Sequence, residues 1–309
     1  METDIYGAAM NNAVSLEGLV KRYGKHRGIE GLDLKVKEGE WFGYIGPNGA
    51  GKSTTIRTML GLIKATEGKS TVLGMDSWKD REKIMEKVGY LPSEAIFYPE
   101  MTVSETLDYA LSLHACKDRR RQKELSERLE LDTGRKIGEL SYGNRKKVGI
   151  VCALEHNPSL LILDEPTGGL DPLMQREFFS MLEEEHRKGV TIFMSSHILS
   201  EIEHQAETAA AIREGRIIVS GKVEEISKTN ARRVSLRGKA DISTLTGAKE
   251  VVEDKNGMSF LYSGEASALL EALYKGSVKD FTVTEPDLEE VFLHYYRKEE
   301  KALTSICVN

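Results

Sequence analysis

The chain has 309 residues, 30% of them charged, and a formal net charge of -6. That length suits one large domain with a smaller one or two medium ones, and the interspersed signs give no overall positive field that would argue for nucleic acid. No run approaches the roughly 18–20 consecutive apolar residues of a membrane span, and Met1-Glu2-Thr3-Asp4 lacks the basic and apolar regions of a secretory leader. Cys116, Cys152 and Cys307 are odd in number and lack metal-ligand spacing, which argues against a disulfide framework or a zinc site and fits a reducing cytosol.

Residues 14–20 and 32–36 alternate apolar and polar side chains between Tyr23-Gly24 and Gly39-Glu40 turn signals and read as short strands. Residues 41–45 form an apolar run expected to be a buried strand, and residues 54–62, with Ile56, Met59 and Leu60 at helical spacing, predict a helix. Between them, Gly46-Pro47-Asn48-Gly49-Ala50-Gly51-Lys52-Ser53 fits the phosphate-loop pattern G-x-x-x-x-G-K-[ST] in the strand-to-helix context its chemistry requires. Its glycines let backbone N–H groups turn inward around phosphate oxygens, and the helix N-terminus adds partial positive charge there. Lys52 is expected to reach the β- and γ-phosphates and the Ser53 hydroxyl to ligate Mg2+, with Thr54 completing the nucleotide-binding run.

From about residue 80 to 135 the pattern turns helical, and Thr102-Val103-Ser104-Glu105 opens one helix as a capping-type sequence. The basic run at residues 117–123 reads as a solvated surface, with an anionic partner as the alternative. Strand-like runs at 160–163 and 190–194 flank a helical stretch at 173–188, a β-α-β arrangement that argues for a parallel sheet. A turn at Glu214-Gly215 precedes a strand at 216–220. Beyond about residue 226, strand-like runs at 234–236, 259–262 and 281–284 mix with helical stretches, which predicts a small appended α+β domain.

The strand at 160–163 ends in Asp164-Glu165, the Walker B form: Asp164 is expected to hold Mg2+, and Glu165 to polarise the attacking water as general base. Leu140-Ser141-Tyr142-Gly143-Asn144 precedes it, and Ser195-Ser196-His197 follows the next strand. In this order the motifs resemble the ATP-binding cassette (ABC) ATPases over about residues 14–225. The resemblance implies an α/β P-loop NTPase cassette at 1–225, a RecA-like core with an antiparallel β subdomain and a helical subdomain at about 93–145, followed by the accessory α+β domain at 226–309.

Carried over by position, the resemblance makes Tyr23 the aromatic residue that stacks on adenine. It makes Ser141, Tyr142, Gly143 and Asn144 the signature that acts on the partner's ATP, Asp171 the D-loop residue, and His197 the contact to the γ-phosphate and attacking water. Two departures stand out. Tyr142 and Asn144 replace a Gly and a Gln of the signature, and Ser93 stands where the Q-loop Gln is expected, with Glu94 beside it as an alternative oxygen. The family works as head-to-tail pairs, so a homodimer or a heterodimer with a second cassette is implied, with ATP and Mg2+ as cofactors and no nucleic acid. Separate transmembrane permease subunits are the implied partners, at the cytoplasmic face of the cell membrane, in the manner of drug and antibiotic exporters. A soluble ABC ATPase acting on ribosomes or DNA is the alternative. Ile96-Phe97-Tyr98-Pro99 would either seat a permease helix or pack inside the helical subdomain, and residues 285–292 would start an amphipathic helix with Leu288, Val291, Phe292 and Tyr295 on one face.

Overall fold

The structure, a computed structural model, describes residues 11–24, 26–114, 118–227, 232–243, 245–254 and 257–284. The chain divides into two compact units, Met1–Val223 and Glu224–Asn309. The first unit begins with the long strands β1 (Asn12–Tyr23) and β2 (His26–Lys37), then β3 (Trp41–Ile45), α1 (Lys52–Met59), β4 (Glu67–Val72), β5 (Met75–Asp76), α2 (Arg81–Met85) and β6 (Val88–Leu91). Three helices follow, α3 (Val103–Leu113), α4 (Arg120–Arg128) and α5 (Tyr142–Leu154). The chain then alternates through β7 (Leu160–Asp164), α6 (Pro172–Arg187), β8 (Thr191–Ser196), α7 (Leu199–Gln205), β9 (Thr208–Arg213) and β10 (Arg216–Lys222) to a short helix, α8 (Val223–Ser227).

Two sheets share one core. An antiparallel sheet runs β2-β1-β4-β5, and a six-stranded sheet runs β10-β9-β3-β8-β7-β6, parallel except for β10. Strands β3, β7 and β8 are buried along their whole length, which is why they read as apolar runs and not as alternating patterns. Phe42 and Tyr44 of β3 pack on Phe193 of β8 with ring centroids 5.5 and 5.4 Å apart, and Leu16 and Leu34 of the antiparallel sheet join the same cluster with Ile56 of α1. Each such side chain contributes about 1.5–3 kcal/mol by leaving water.

Register fixes the site. Ile45 lies opposite Ser196, and Asp164 opposite Ser195, so β3, β8 and β7 end side by side at their carboxyl ends. In open α/β sheets that edge is where ligands bind.

The expectation of helix throughout residues 80–135 is corrected at β6, which pairs in parallel with β7 from Val88–Leu160 to Leu91–Leu163. Four residues at a sheet edge are too few to carry a period of their own. The helix expected at 54–62 begins earlier, because Lys52 and Ser53 form its first turn. Thr102 and Glu105 do form a reciprocal capping box on α3, with bonds of 3.1 and 2.8 Å. The basic run is solvated only in part: Arg121 is mostly buried and pairs with Glu185 of α6, a partner 64 residues away. Ile96 and Tyr98 are 84% and 65% exposed, while Phe97 is half-buried near Gly149.

In the second unit, β11 (Arg232–Lys239), β12 (Ala248–Glu253), β13 (Gly257–Tyr262) and β14 (Ser277–Thr284) form an antiparallel sheet of order β12-β13-β11-β14, with α9 (Ala266–Lys275) between β13 and β14 in the chain. Val234, Leu236, Phe260, Tyr262, Leu269 and Leu273 make its core. The tail at 285–292, with Leu288, Val291, Phe292 and Tyr295, lies outside the described residues, as do Lys117, Cys116 and Cys307. Cys152 is a free cysteine. Among the described residues no helix is long and apolar enough to cross a membrane.

Candidate active site

The phosphate loop leaves β3 and closes on itself. The Gly46 N–H donates to the Ser196 carbonyl at 3.4 Å, and Ala50 N–H to Pro47 at 3.1 Å. Gly51 caps α1 with φ 113°, a left-handed conformation that a side chain would strain, and a Cβ there would sit 3.0 Å from Ile29. Lys52 is only 4% exposed, and its ammonium donates to Gly46 O at 2.6 Å and Pro47 O at 3.2 Å. Asn48, Gly49, Gly51, Lys52, Ser53 and Thr54 line one pocket together with Glu165.

Gly28 of β2 also lines that pocket and was not anticipated, because nothing local in an alternating strand marks it. A Cβ on Gly28 would lie 3.2 Å from the Tyr23 ring, so Tyr23 sits beside the pocket's rim, with Lys21 Nζ 5.2 Å from its ring centroid. Gly46, Pro47 and Ala50 shape the loop from behind: the first two turn their carbonyls to Lys52, and the Ala50 carbonyl accepts from Gly215 N–H at 2.9 Å.

Asp164, at the end of β7, is buried. Its Oδ1 accepts from Ser195 Oγ at 2.6 Å, and its Oδ2 has no partner among the described residues. A buried carboxylate oxygen left open in this way fits a hard divalent cation, for which oxygen ligands are preferred. Glu165 has φ 47°, outside the usual range for a residue with a side chain. Its N–H is held by the Ser195 carbonyl at 3.1 Å, and its carboxylate bridges Lys52 Nζ at 3.1 Å and His197 Nδ1 at 3.1 Å.

His197 is 47% exposed, reaching the site from the end of β8. Glu201 was also missed by sequence reasoning. It accepts from Thr167 Oγ1 at 2.6 Å and from Ser196 Oγ at 2.7 Å, tying the loop after β7 to the end of β8.

The signature residues lie elsewhere. Ser141 caps α5, its Oγ accepting from Asn144 N–H at 3.3 Å, and none of residues 141–144 lines the phosphate-loop pocket. Gly143 permits a close approach to the loop after β7, since a Cβ would fall 2.4 Å from Gly169 O. Tyr142 lies against Gly168 and Gly169 and donates its hydroxyl to the Ser93 carbonyl at 3.2 Å. Ser93 therefore enters the arrangement through its backbone, and Glu94 is exposed.

Lys146 of α5, also unmarked in the sequence reading, is 1% exposed and donates to Pro92 O, Ser93 O and Glu165 O at 3.0, 3.1 and 3.1 Å. Burial pushes its ammonium down to about 8, against the pull of Asp164 and Glu165. Asp171 caps α6, accepting from Leu173 and Met174 N–H at 3.0 Å each.

Comparison with known proteins agrees with this geometry. The ABC transporter family profile matches residues 29–168. The uncharacterised ABC transporter ATP-binding protein YhaQ of Bacillus subtilis is 33% identical over 297 residues, covering 91% of this chain and 97% of its own length. The bacitracin transport ATP-binding protein BcrA of Bacillus licheniformis is 36% identical over 229 residues, covering 72% of this chain and 74% of its own. A solved ATP-binding subunit of an ABC transporter superposes with a TM-score of 0.66 at 29% identity, over 69% of this chain and 91% of that one. The chain belongs to the ATP-binding proteins of ABC transporters.

Proposed function

We propose that the chain is the Mg-ATP-hydrolysing subunit of an exporter, pairing head to tail with a second cassette and driving separate membrane permease subunits from the cytoplasmic side. The observation that carries this reading is the convergence of Lys52, Glu165 and His197 at one pocket, while the signature of the same chain stays outside it. A pocket with a general base but without its signature is half of a composite site, and a second cassette supplies the other half. Similarity to a bacitracin transport protein supports the coupling of this ATPase to transport.

In this mechanism the backbone N–H groups of the phosphate loop and the Lys52 ammonium bind the triphosphate. Ser53 and the open Oδ2 of Asp164 would hold Mg2+, which neutralises charge on the β- and γ-phosphate oxygens. Lys52 holds the Glu165 carboxylate until a phosphate competes for the ammonium. Glu165 is then free to accept a proton from the attacking water, with His197 orienting both.

Ser141 and Gly143 of the partner close over the γ-phosphate, Asp171 orders the adjoining helix start, and Tyr23 stacks on the base. ATP binding shifts the population to the closed pair, and hydrolysis reverses it. Ile96 and Tyr98 provide exposed apolar surface suited to seating a permease helix.

The test is turnover by the full chain with its membrane subunits. Mg-ATP is hydrolysed by the wild type, and Glu165→Gln lowers kcat at least about 100-fold while ATP still binds. Absence of hydrolysis in the wild-type complex would refute the reading.

A further inference from the structure

We infer that Lys146 is a positioning residue for hydrolysis: its buried ammonium holds the backbone of Glu165 in its working conformation and joins that residue to the signature helix α5 and to Ser93. This rests on the assignment of Glu165 as general base.

The geometry is specific to an amine. Three backbone carbonyls, from Pro92, Ser93 and Glu165, converge on one side-chain nitrogen at 3.0–3.1 Å. A primary ammonium has three donors and no acceptor, so it satisfies all three, whereas an amide would offer two donors and turn an oxygen towards the remaining carbonyl. Glu165 needs such support because its backbone lies at φ 47°, a conformation that persists only where its surroundings over-determine it. Ser195 fixes the Glu165 N–H and Lys146 fixes its C=O, so the peptide units on both sides of the Glu165 Cα are pinned. That pinning aims the carboxylate at Lys52 and His197.

The same nitrogen reaches Ser93 O, which also accepts the Tyr142 hydroxyl at 3.2 Å. Tyr142 stands next to Ser141 at the start of α5, and Lys146 lies one turn further along the same helix. A shift of α5 is therefore transmitted to the carbonyl of the general base through one side chain. Ser93 takes part with its backbone oxygen, which is how this position contributes without the side-chain amide of a glutamine.

The experiment compares the full-length Lys146→Met, Lys146→Gln and Tyr142→Phe chains with wild type, measuring kcat, KM and the Kd for Mg-ATP, with folding followed by circular dichroism. Lys146→Met is expected to lower kcat at least tenfold, Lys146→Gln less, and Tyr142→Phe two- to threefold, all with Kd within twofold of wild type. In a Glu165→Gln background, Lys146→Met is expected to add no further loss. If Lys146→Met does not fold, Lys146→Gln decides.

A folded Lys146 variant with wild-type kcat overturns the inference, as does a parallel loss of kcat and ATP affinity, which would mark Lys146 as packing alone. A wild type that hydrolyses ATP and loses turnover on Glu165→Gln, but tolerates the Lys146 changes, overturns this inference and leaves the functional reading standing. A wild-type chain without turnover in the complex with its membrane subunits overturns both.

Discussion

The two ends of helix α5 treat buried charge in opposite ways. At its start, Lys146 is enclosed by three carbonyls, and nearby Glu165 is flanked by Lys52 and His197. Just past its far end, Glu155 is fully buried and, among the described residues, has only the Gln122 amide as donor, at 3.1 Å, with its Oε1 left without a partner. Burial pushes the Glu155 carboxyl up to about 8, with Asp108 adding to the effect. Next to it, the His156 ring stacks on His114 at 3.5 Å, and burial together with His114 holds its pKa down to about 4. The catalytic end keeps its charges by matching them; the far end survives by staying neutral.

The largest effect expected from this contrast is on ATP affinity. Lys52→Ala should weaken Mg-ATP binding about 10- to 100-fold, because bonds to a charged group contribute about 1.5–3 kcal/mol each. Tyr23→Ala should cost only a few-fold, since an aromatic contact adds about 0.5–1.5 kcal/mol beyond its buried area. Discrimination of ATP from GTP should accordingly be modest. Equal losses from the two substitutions in a titration would erase the distinction between charge and stacking.

A smaller effect is expected at the far end, and it depends on pH. The folded chain keeps a proton on Glu155 up to about pH 8, whereas an unfolded chain releases it near the ordinary value of 4.5. Over that window the native state binds more protons, so this group lowers stability as pH rises. Glu155→Gln should therefore stabilise the fold at pH 8, with the gain fading towards pH 5. His156 acts on the acid side: the unfolded chain takes a proton below about 6.5 and the folded one does not until about 4, so stability falls with decreasing pH in both chains. Thermal melts of the two chains at pH 5 and pH 8 measure this, and a stability difference that does not change with pH would contradict it.

What was legible in the sequence follows from how local each feature is. The phosphate loop is eight consecutive residues whose glycines and lysine act within one turn, so residues 48, 49 and 51–54 appear together around the pocket. Asp164, Glu165 and His197 were legible because each ends an apolar strand, and the sheet register then brings those ends together.

Features built from distant partners left no local mark. Gly28 lines the pocket from another sheet, Glu201 bridges Thr167 and Ser196, and Lys146 bonds only to backbone oxygens, to which any sequence could contribute. Arg121 looked like part of a solvated basic run for the same reason, since Glu185 reaches it only through the packing of α4 and α6. Tyr142 was visible as a departure from the signature, but its bond to Ser93 O spans 49 residues.

If the pocket at Lys52 and Glu165 is half of a site closed by a second cassette, two chains must pair around bound nucleotide. The most direct measurement is the mass in solution of the Glu165→Gln chain, by sedimentation equilibrium with and without saturating Mg-ATP. A nucleotide-dependent dimer with one ATP retained per chain is the expected result; a Glu165→Gln chain that binds Mg-ATP and remains a monomer would rule out the composite site.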